Sequence, residues 1–159
     1  MRPIPPIAEQ AVLVLGGSSG IGLAMARRFA EAGARLRIVG RDRARAEAAA
    51  DSLGPRAGAI AADCADPAAA EEAVARAARE MGGVDTMVCS LGGNQLPQLL
   101  FRQTLDDIRV ALEHDLAPVL YAGRAVLPVM MEAEGGAVIT VASDAGKVAT
   151  PGEAVIGAN

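Results

Sequence analysis

The sequence has very few aromatic residues. Its 159 residues include no tryptophan, one tyrosine and two phenylalanines, although 52% of all residues are hydrophobic. Alanine, valine, leucine and isoleucine must therefore fill the interior, which favours closely packed helices and sheet over a binding surface of stacked rings. The length is enough for one domain with its own core, and a charged fraction of 21% is typical of a soluble globular protein.

Cysteine, histidine and positive charge are also scarce. Cys64 and Cys89 fit neither a disulfide framework nor a CxxC motif, so we predict that they are buried thiols in a reducing compartment. His114 is the only histidine and has no cluster of ligating residues near it in the sequence, which predicts no metal site. The formal net charge of −4 argues against a nucleic-acid partner.

Long apolar runs are missing too. No run reaches the length of a membrane span, and residues 1–10 contain three prolines and no apolar signal-peptide core. We therefore expect a cytoplasmic protein that does not bind membranes.

What the sequence does contain is an alternation of two periods. Short apolar runs, typical of strands buried on both faces, alternate with longer segments of helical spacing. This order predicts an α/β fold with a doubly wound parallel sheet and right-handed crossovers. The predicted strands are Ala11–Leu15, Leu36–Val39, Ala57–Ala61, Val84–Val88 and Ala137–Val141.

Helix signals lie between these strands. Asp66-Pro67 is typical of an N-cap followed by proline in the first turn, and Thr104 with Asp107 predicts a capping box. We expect the latter helix to bend near Pro118 and to end near Met131. The first helix, which should stop at Gly33, has an apolar stripe that consists of Ile21, Met25, Phe29 and Ala32.

A glycine-rich turn joins the first strand to the first helix. The first glycine permits a tight turn, and glycines without side chains let a pyrophosphate approach the backbone. The N-terminus of the following helix then offers free N–H groups and its positive dipole end to the phosphates, and two serine hydroxyls can add donors. The predicted phosphate-binding residues are Gly16, Ser18, Ser19, Gly20, Ile21 and Gly22.

The stretch Val14–Gly22 closely resembles the cofactor motif of the short-chain dehydrogenases/reductases, although Leu15 stands where the family usually has threonine. Ala62-Asp63 is similar to the family's acidic residue after the third strand. Residues 135–146 resemble its fifth strand and the loop of its catalytic serine. The resemblance implies a Rossmann-like NAD(P)-binding domain and an oxidoreductase.

The resemblance also implies cofactor residues outside the glycine turn. Asp63 would bind the adenine amino group, with Cys64 beside it. Leu91 and Gly92 belong to the motif after the fourth strand, where Cys89-Ser90-Leu91-Gly92 replaces the usual Asn-Asn-Ala-Gly. Gly40-Arg41 resembles the NADP-preferring pattern, because a guanidinium can pair with a 2′-phosphate. The alternative is that Arg41 is a solvated loop charge.

The implied catalytic set departs from the family. Ser143 corresponds to the serine that polarises the substrate oxygen, and Asp115 stands in place of the asparagine of the proton relay. The tyrosine that acts as acid and base is replaced by Ile156, and the lysine would follow Asn159. Tyr121, the only tyrosine, is predicted to have a packing role.

The resemblance covers roughly the first two-thirds of the family plan, so we expect one incomplete domain over residues 1–159 that forms a homo-oligomer when complete. The expected function is hydride transfer between NADP(H), with NAD as the less favoured cofactor, and a carbonyl or alcohol substrate. The alternative is an NAD(P)-binding protein without catalysis, either a sensor or a partner subunit, since Ile156 has no acidic proton.

Overall fold

The computed structural model describes residues 3–92 and 96–158. Its five strands form one parallel sheet in the order β3-β2-β1-β4-β5, which confirms the predicted fold class. Between β1 and β4 the direction of the winding reverses, so helices cover both faces. The strands are β1 (Ala11–Leu15), β2 (Arg35–Gly40), β3 (Ala57–Ala61), β4 (Thr86–Cys89) and β5 (Ala137–Thr140).

The helices begin where the sequence signals predict. The Asp66 carboxylate accepts hydrogen bonds from the Ala68 and Ala69 N–H groups. The Thr104 hydroxyl and the Asp107 carboxylate cap each other's backbone. The helices are α1 (Gly20–Glu31), α2 (Arg43–Asp51), α3 (Pro67–Met81), α4 (Leu105–Ala111), α5 (Ala117–Glu132) and α6 (Ala154–Ala158). Within the two described ranges, no helix is both long and apolar enough to cross a bilayer.

The alternating side chains of β1 divide the core between the two faces of the sheet. Leu13 and Leu15 pack with the apolar faces of α3 and α5. Val12 and Val14 pack on the opposite face with Ala26 of α1 and with α2. Every residue of β1 and β4 is buried, because both strands have neighbours on both sides and helices above and below.

The prediction that all five strands are buried on both faces is wrong for β5 and holds only in part for β3, where Ile60 is buried and the other four residues are half-buried. Val138 and Ile139 are 42% and 38% exposed, because β5 lies at the edge of the sheet with β4 as its only partner among the described strands.

Two helix predictions also need correction. The bend near Pro118 is a π-helical segment, Leu112–Leu116, that separates α4 from α5. Pro118 lies in the first turn of α5, two residues after the end of this segment. Ile21, which is 61% exposed, and the exposed Ala32 are not part of a buried stripe, because the small residues Gly22 and Ala26 make the buried face of α1.

Candidate cofactor cleft and active site

A cleft of about 810 Å³ opens at the carboxyl ends of β1, β2, β3 and β4. It therefore lies at the point where the winding of the sheet reverses, which is where open α/β sheets bind their ligands. Gly20, Ile21, Gly22 and Ser143 do not line this cleft. The predicted site residues that line it are Gly16, Ser18, Ser19, Arg41, Asp63, Cys64, Leu91, Gly92 and Asp115.

The glycine turn is closed so tightly that two of its positions leave no room for a side chain. Gly16 has φ +73°, and a Cβ atom there would lie 2.1 Å from the Ser90 carbonyl oxygen. A Cβ atom on Gly22 would lie 2.3 Å from the Gly16 carbonyl oxygen. Direct contact between the backbones of the turn, β4 and α1 thus sets the position where α1 starts.

The start of α1 leaves polar groups available at the cleft. Ser19 is the N-cap residue, yet its hydroxyl makes no capping hydrogen bond. The first N–H groups of an α-helix have no acceptor within the helix, and they lie at the positive end of its dipole. Ser18 and Ser19 both line the cleft. This end of the cleft therefore suits an anionic group such as a pyrophosphate.

The end of β2 forms one wall of the cleft. A Cβ atom on Gly40 would lie 3.1 Å from the Ser18 hydroxyl oxygen, which is closer than such contacts usually are. The Asp42 carboxylate accepts a hydrogen bond from the Arg45 backbone N–H at 3.0 Å and so caps α2. Arg41 and Arg45 are both exposed and both line this wall.

Asp63 and Cys64 follow β3 and line the cleft at the next strand. The exposed Asp63 carboxylate accepts a hydrogen bond from the Ala65 N–H at 3.1 Å. Burial, with a smaller effect of the Asp63 charge, raises the pKa of the Cys64 thiol to about 11. Burial likewise raises the pKa of Cys89 to about 12. Both cysteines are free and buried, so they are neutral thiols at ordinary pH.

Gly92 and Asp115 meet where the chain leaves β4. Gly92 has φ +90°, and a Cβ atom there would lie 2.6 Å from the Asp115 Oδ1 atom. Leu91 packs against the core beside it. Asp115 lies in the π-helical segment, a distortion that is frequent at functional sites, and the same segment brings His114 to the cleft.

Ser143 follows β5 and is exposed. Its hydroxyl accepts a hydrogen bond from the Ala145 N–H at 3.2 Å, and it can still donate its own proton. The close approach of α6 brings Ile156 near this loop, since a Cβ atom on the neighbouring Gly157 would lie 2.4 Å from the Ala145 carbonyl oxygen. Tyr121 packs half-buried against the core, as predicted.

A model of the short chain dehydrogenase family matches residues 10–158 of the chain. The chain belongs to this family. It is also similar to the crystal structure of serine dehydrogenase from Escherichia coli, with a TM-score of 0.85 and 30% sequence identity. That similarity covers 92% of this chain and 68% of the other.

Relatives in the short-chain dehydrogenase family include D-threitol dehydrogenase from Mycolicibacterium smegmatis, 37% identical over 88% of this chain and 55% of that protein. An NADP-dependent 3-hydroxy acid dehydrogenase from Salmonella typhi is 31% identical over 92% of this chain and 59% of its own length. The chain thus spans a little over half the length of these two curated relatives.

Membership of the short-chain dehydrogenase family does not by itself supply a catalytic acid at position 156, where the family resemblance places a tyrosine. Ile156 is half-buried on α6 and has no ionisable group. The residues that do line the cleft include Asp107, His114 and Asp115 as titratable groups of the α4 side. In residues 3–92 and 96–158, no three His, Cys, Asp or Glu side chains come together as metal ligands, and the absence of a metal stays a prediction.

Several residues that line the cleft were not predicted as site residues, among them Arg45, Ser90, His114, Gln98 and Gln103. Asp42 signals the start of α2, so a helical wheel drawn from that cap could have found Arg45. Ser90 was detectable only as a neighbour of Leu91. His114 reaches the cleft through the π-helical segment, for which the sequence carries no clear signal.

Proposed function

We propose that the protein is an oxidoreductase that moves a hydride between NADP(H) and a carbonyl or alcohol substrate. The observation that carries the proposal is the cleft itself, where Ser18, the α1 N-cap residue Ser19 and two arginines line one side. These groups fit a dinucleotide with a pyrophosphate and a 2′-phosphate. When bound, such a cofactor supplies or accepts the hydride.

In this proposal the glycine turn holds the pyrophosphate. Its backbone from Gly16 to Gly22 provides N–H groups, and Ser18 and Ser19 provide hydroxyls. Asp63 accepts a hydrogen bond from the adenine amino group, with Cys64 beside it. The backbone at Leu91 and Gly92 borders the remainder of the cofactor. Of these positions, Gly17 and the first-turn residues Gly20, Ile21 and Gly22 of α1 do not line the cleft, and the others do.

Three features at the end of β2 support NADP over NAD. A side chain on Gly40, where an acidic residue would select NAD, would press against the Ser18 hydroxyl. The Asp42 carboxylate is occupied with the N-terminus of α2. The Arg41 guanidinium can form charge-assisted hydrogen bonds with a 2′-phosphate. A relative named as NADP-dependent agrees with this assignment but concerns another protein.

On the substrate side, Ser143 orients the substrate oxygen by donating its hydroxyl proton, and Asp115 holds a water. Since Ile156 supplies no proton, the acid is a water held by Asp115, the substrate itself, or a group outside residues 1–159. The same proposal includes the substrate, which is a small carbonyl or alcohol compound. It also includes the state of the complete protein, which is a cytoplasmic homo-oligomer.

Calorimetric titration of the complete protein with NADPH and NADH tests the cofactor assignment. Loss of one charge-assisted contact costs about 1.5–3 kcal/mol, which corresponds to roughly ten- to a hundredfold in affinity. We expect NADPH to bind more tightly by at least this factor and Arg41→Ala to reduce the difference. Equal affinities for the two cofactors, or an unchanged preference in Arg41→Ala, would contradict the assignment.

The replacement of the tyrosine by Ile156 favours a second candidate function, which is NADP(H) binding without catalysis. The two functions separate in an optical assay of NADPH oxidation with a panel of ketones and aldehydes. Measurable turnover above that of heat-denatured protein supports the enzyme. Tight NADPH binding without turnover of any carbonyl compound supports a sensor or partner subunit.

A further inference from the structure

Arg45 is a second arginine on the same wall of the cleft as Arg41. It lies in the first turn of α2, just after the end of β2, and both guanidinium groups belong to exposed side chains. The Ser18 hydroxyl borders the same place, next to Gly40. Two positive charges and a hydroxyl thus share one end of the cleft.

The packing of α2 fixes where Arg45 lies. Ala46 is fully buried, and its Cβ atom would lie 3.6 Å from a Cβ atom on Gly40. This is an ordinary van der Waals distance, so the first turn of α2 packs against the end of β2. The Asp42 cap, which accepts the Arg45 N–H, holds the same turn from the other side.

The charge of Arg45 is not neutralised by an ion pair. In the described ranges, neither Arg41 nor Arg45 takes part in any of the salt bridges. Arg43 differs from both. It pairs with Glu47 at 3.7 Å and does not line the cleft. Residues two apart on a helix point about 200° away from each other, which explains why Arg43 and Arg45 differ.

The side-chain charges at this wall of the cleft sum to a net positive charge. Arg41 and Arg45 contribute two positive charges, and the Asp42 carboxylate contributes one negative charge that is directed to the α2 N-terminus. A phosphate monoester carries nearly two negative charges at neutral pH. One guanidinium beside Asp42 would leave such a group poorly balanced, whereas two compensate it.

We propose that Arg45 is a specificity-determining residue that binds the 2′-phosphate of NADP(H) together with Arg41 and the Ser18 hydroxyl. The proposal rests on the proposed function, since it deepens the cofactor preference of the same cleft. It assigns two arginines to the phosphate, one in the loop after β2 and one in the first turn of α2.

The test is calorimetric titration of the complete protein and of single variants with NADPH and NADH. Arg45→Gln removes the charge and keeps a good helix former in α2. Because the side chain is exposed, we expect the lower end of the range for a charge-assisted bond, a loss of about tenfold in NADPH affinity. NADH affinity stays unchanged. We expect a similar loss of NADPH affinity in Arg41→Gln and a larger loss in the double variant than in either single variant.

The matched control is Arg43→Gln, which removes an arginine from the same helical turn but outside the cleft. We expect it to leave both affinities unchanged. Equal effects of Arg43→Gln and Arg45→Gln on NADPH, or an equal loss for NADPH and NADH in Arg45→Gln, would overturn the role of Arg45. If Arg41→Gln alone lowers the preference for NADPH, the proposed function stands and the role of Arg45 falls. If the unmodified protein binds neither cofactor, both fall.

Discussion

The glycine turn between β1 and α1 requires glycine for two different physical reasons, a positive φ and a lack of space for a Cβ atom. Three alanine substitutions can measure the two effects. Gly20 has φ +53° but no atom within 4 Å of its Cβ position. Gly22 lacks a positive φ, yet its Cβ atom would lie 2.3 Å from the Gly16 carbonyl oxygen. Gly16 combines φ +73° with a Cβ distance of 2.1 Å to the Ser90 carbonyl oxygen.

The expected losses of unfolding free energy follow from this difference. An L-residue in the left-handed region costs about 1–2 kcal/mol, which is the whole effect for Gly20→Ala. A methyl group forced against backbone costs about 1–3 kcal/mol, which is the effect for Gly22→Ala. Gly16→Ala incurs both, so we expect a loss of about 2–5 kcal/mol. That is a large share of the roughly 5–15 kcal/mol that stabilises a typical domain.

Urea unfolding of the complete protein, followed by circular dichroism, measures the three losses. The m-value should stay constant, so the midpoints can be compared directly. We expect Gly20→Ala to unfold closest to the unmodified protein and Gly16→Ala at the lowest urea concentration. Equal midpoints for Gly16→Ala and Gly20→Ala would refute the claim that contact with the end of β4 closes the turn.

Three further predictions follow from single residues. Ile156→Tyr introduces a phenol beside the Ser143 loop. Because general acid catalysis contributes about 10²–10⁴ in rate, the rate of NADPH oxidation should rise. An unchanged rate would mean that the acid acts elsewhere. Cys64 and Cys89 should react slowly with iodoacetamide at pH 8, and the rate should rise about tenfold per pH unit towards pH 11, since only the thiolate reacts. Mass spectrometry measures the labelling rate. Fast labelling at pH 8 would show that these thiols are not buried. Asp66→Ala removes the cap of α3 and should cost about 1 kcal/mol in urea unfolding; an unchanged midpoint would show that Pro67 alone sets the start of α3.

The topology was predictable because its causes are local. Short apolar runs alternate with helical stripes, and caps such as Asp66 and Thr104 mark the helix starts within a residue. Parallel strands joined by helices then permit few arrangements. The exposure of β5 was not predictable from its own residues, because Val138 and Ile139 are as apolar as the residues of a central strand, and only the strand order places them at an edge.

The sequence predicted only some of the residues that line the cleft, because lining a cleft depends on the orientation of each side chain. Arg41, Asp63 and Gly92 follow strand ends, and the carboxyl ends of parallel strands meet at one edge of the sheet, so their place could be inferred. Arg45 and His114 reach the same cleft from helices, where a rotation of 100° per residue decides which side chain faces it. Ser143 follows β5 and does not line the cleft, although Asp63 follows β3, which lies further from the reversal point, and does line it.

The departures from the family pattern have different consequences on the two sides of the site. At the end of β4, the two amides of the family pattern are replaced by Cys89, which is fully buried, and by Ser90. Leu91, in place of alanine, packs against the core, while Gly92 keeps the φ of +90° that only glycine adopts readily. A site that binds phosphate and ribose largely through backbone groups tolerates such side-chain replacements, provided that the backbone path is kept. Proton transfer differs, because it needs an ionisable side chain at one position, and Ile156 supplies none. If the proposed function holds, cofactor binding and turnover should therefore be separable in this protein, and we expect binding to be the better preserved of the two.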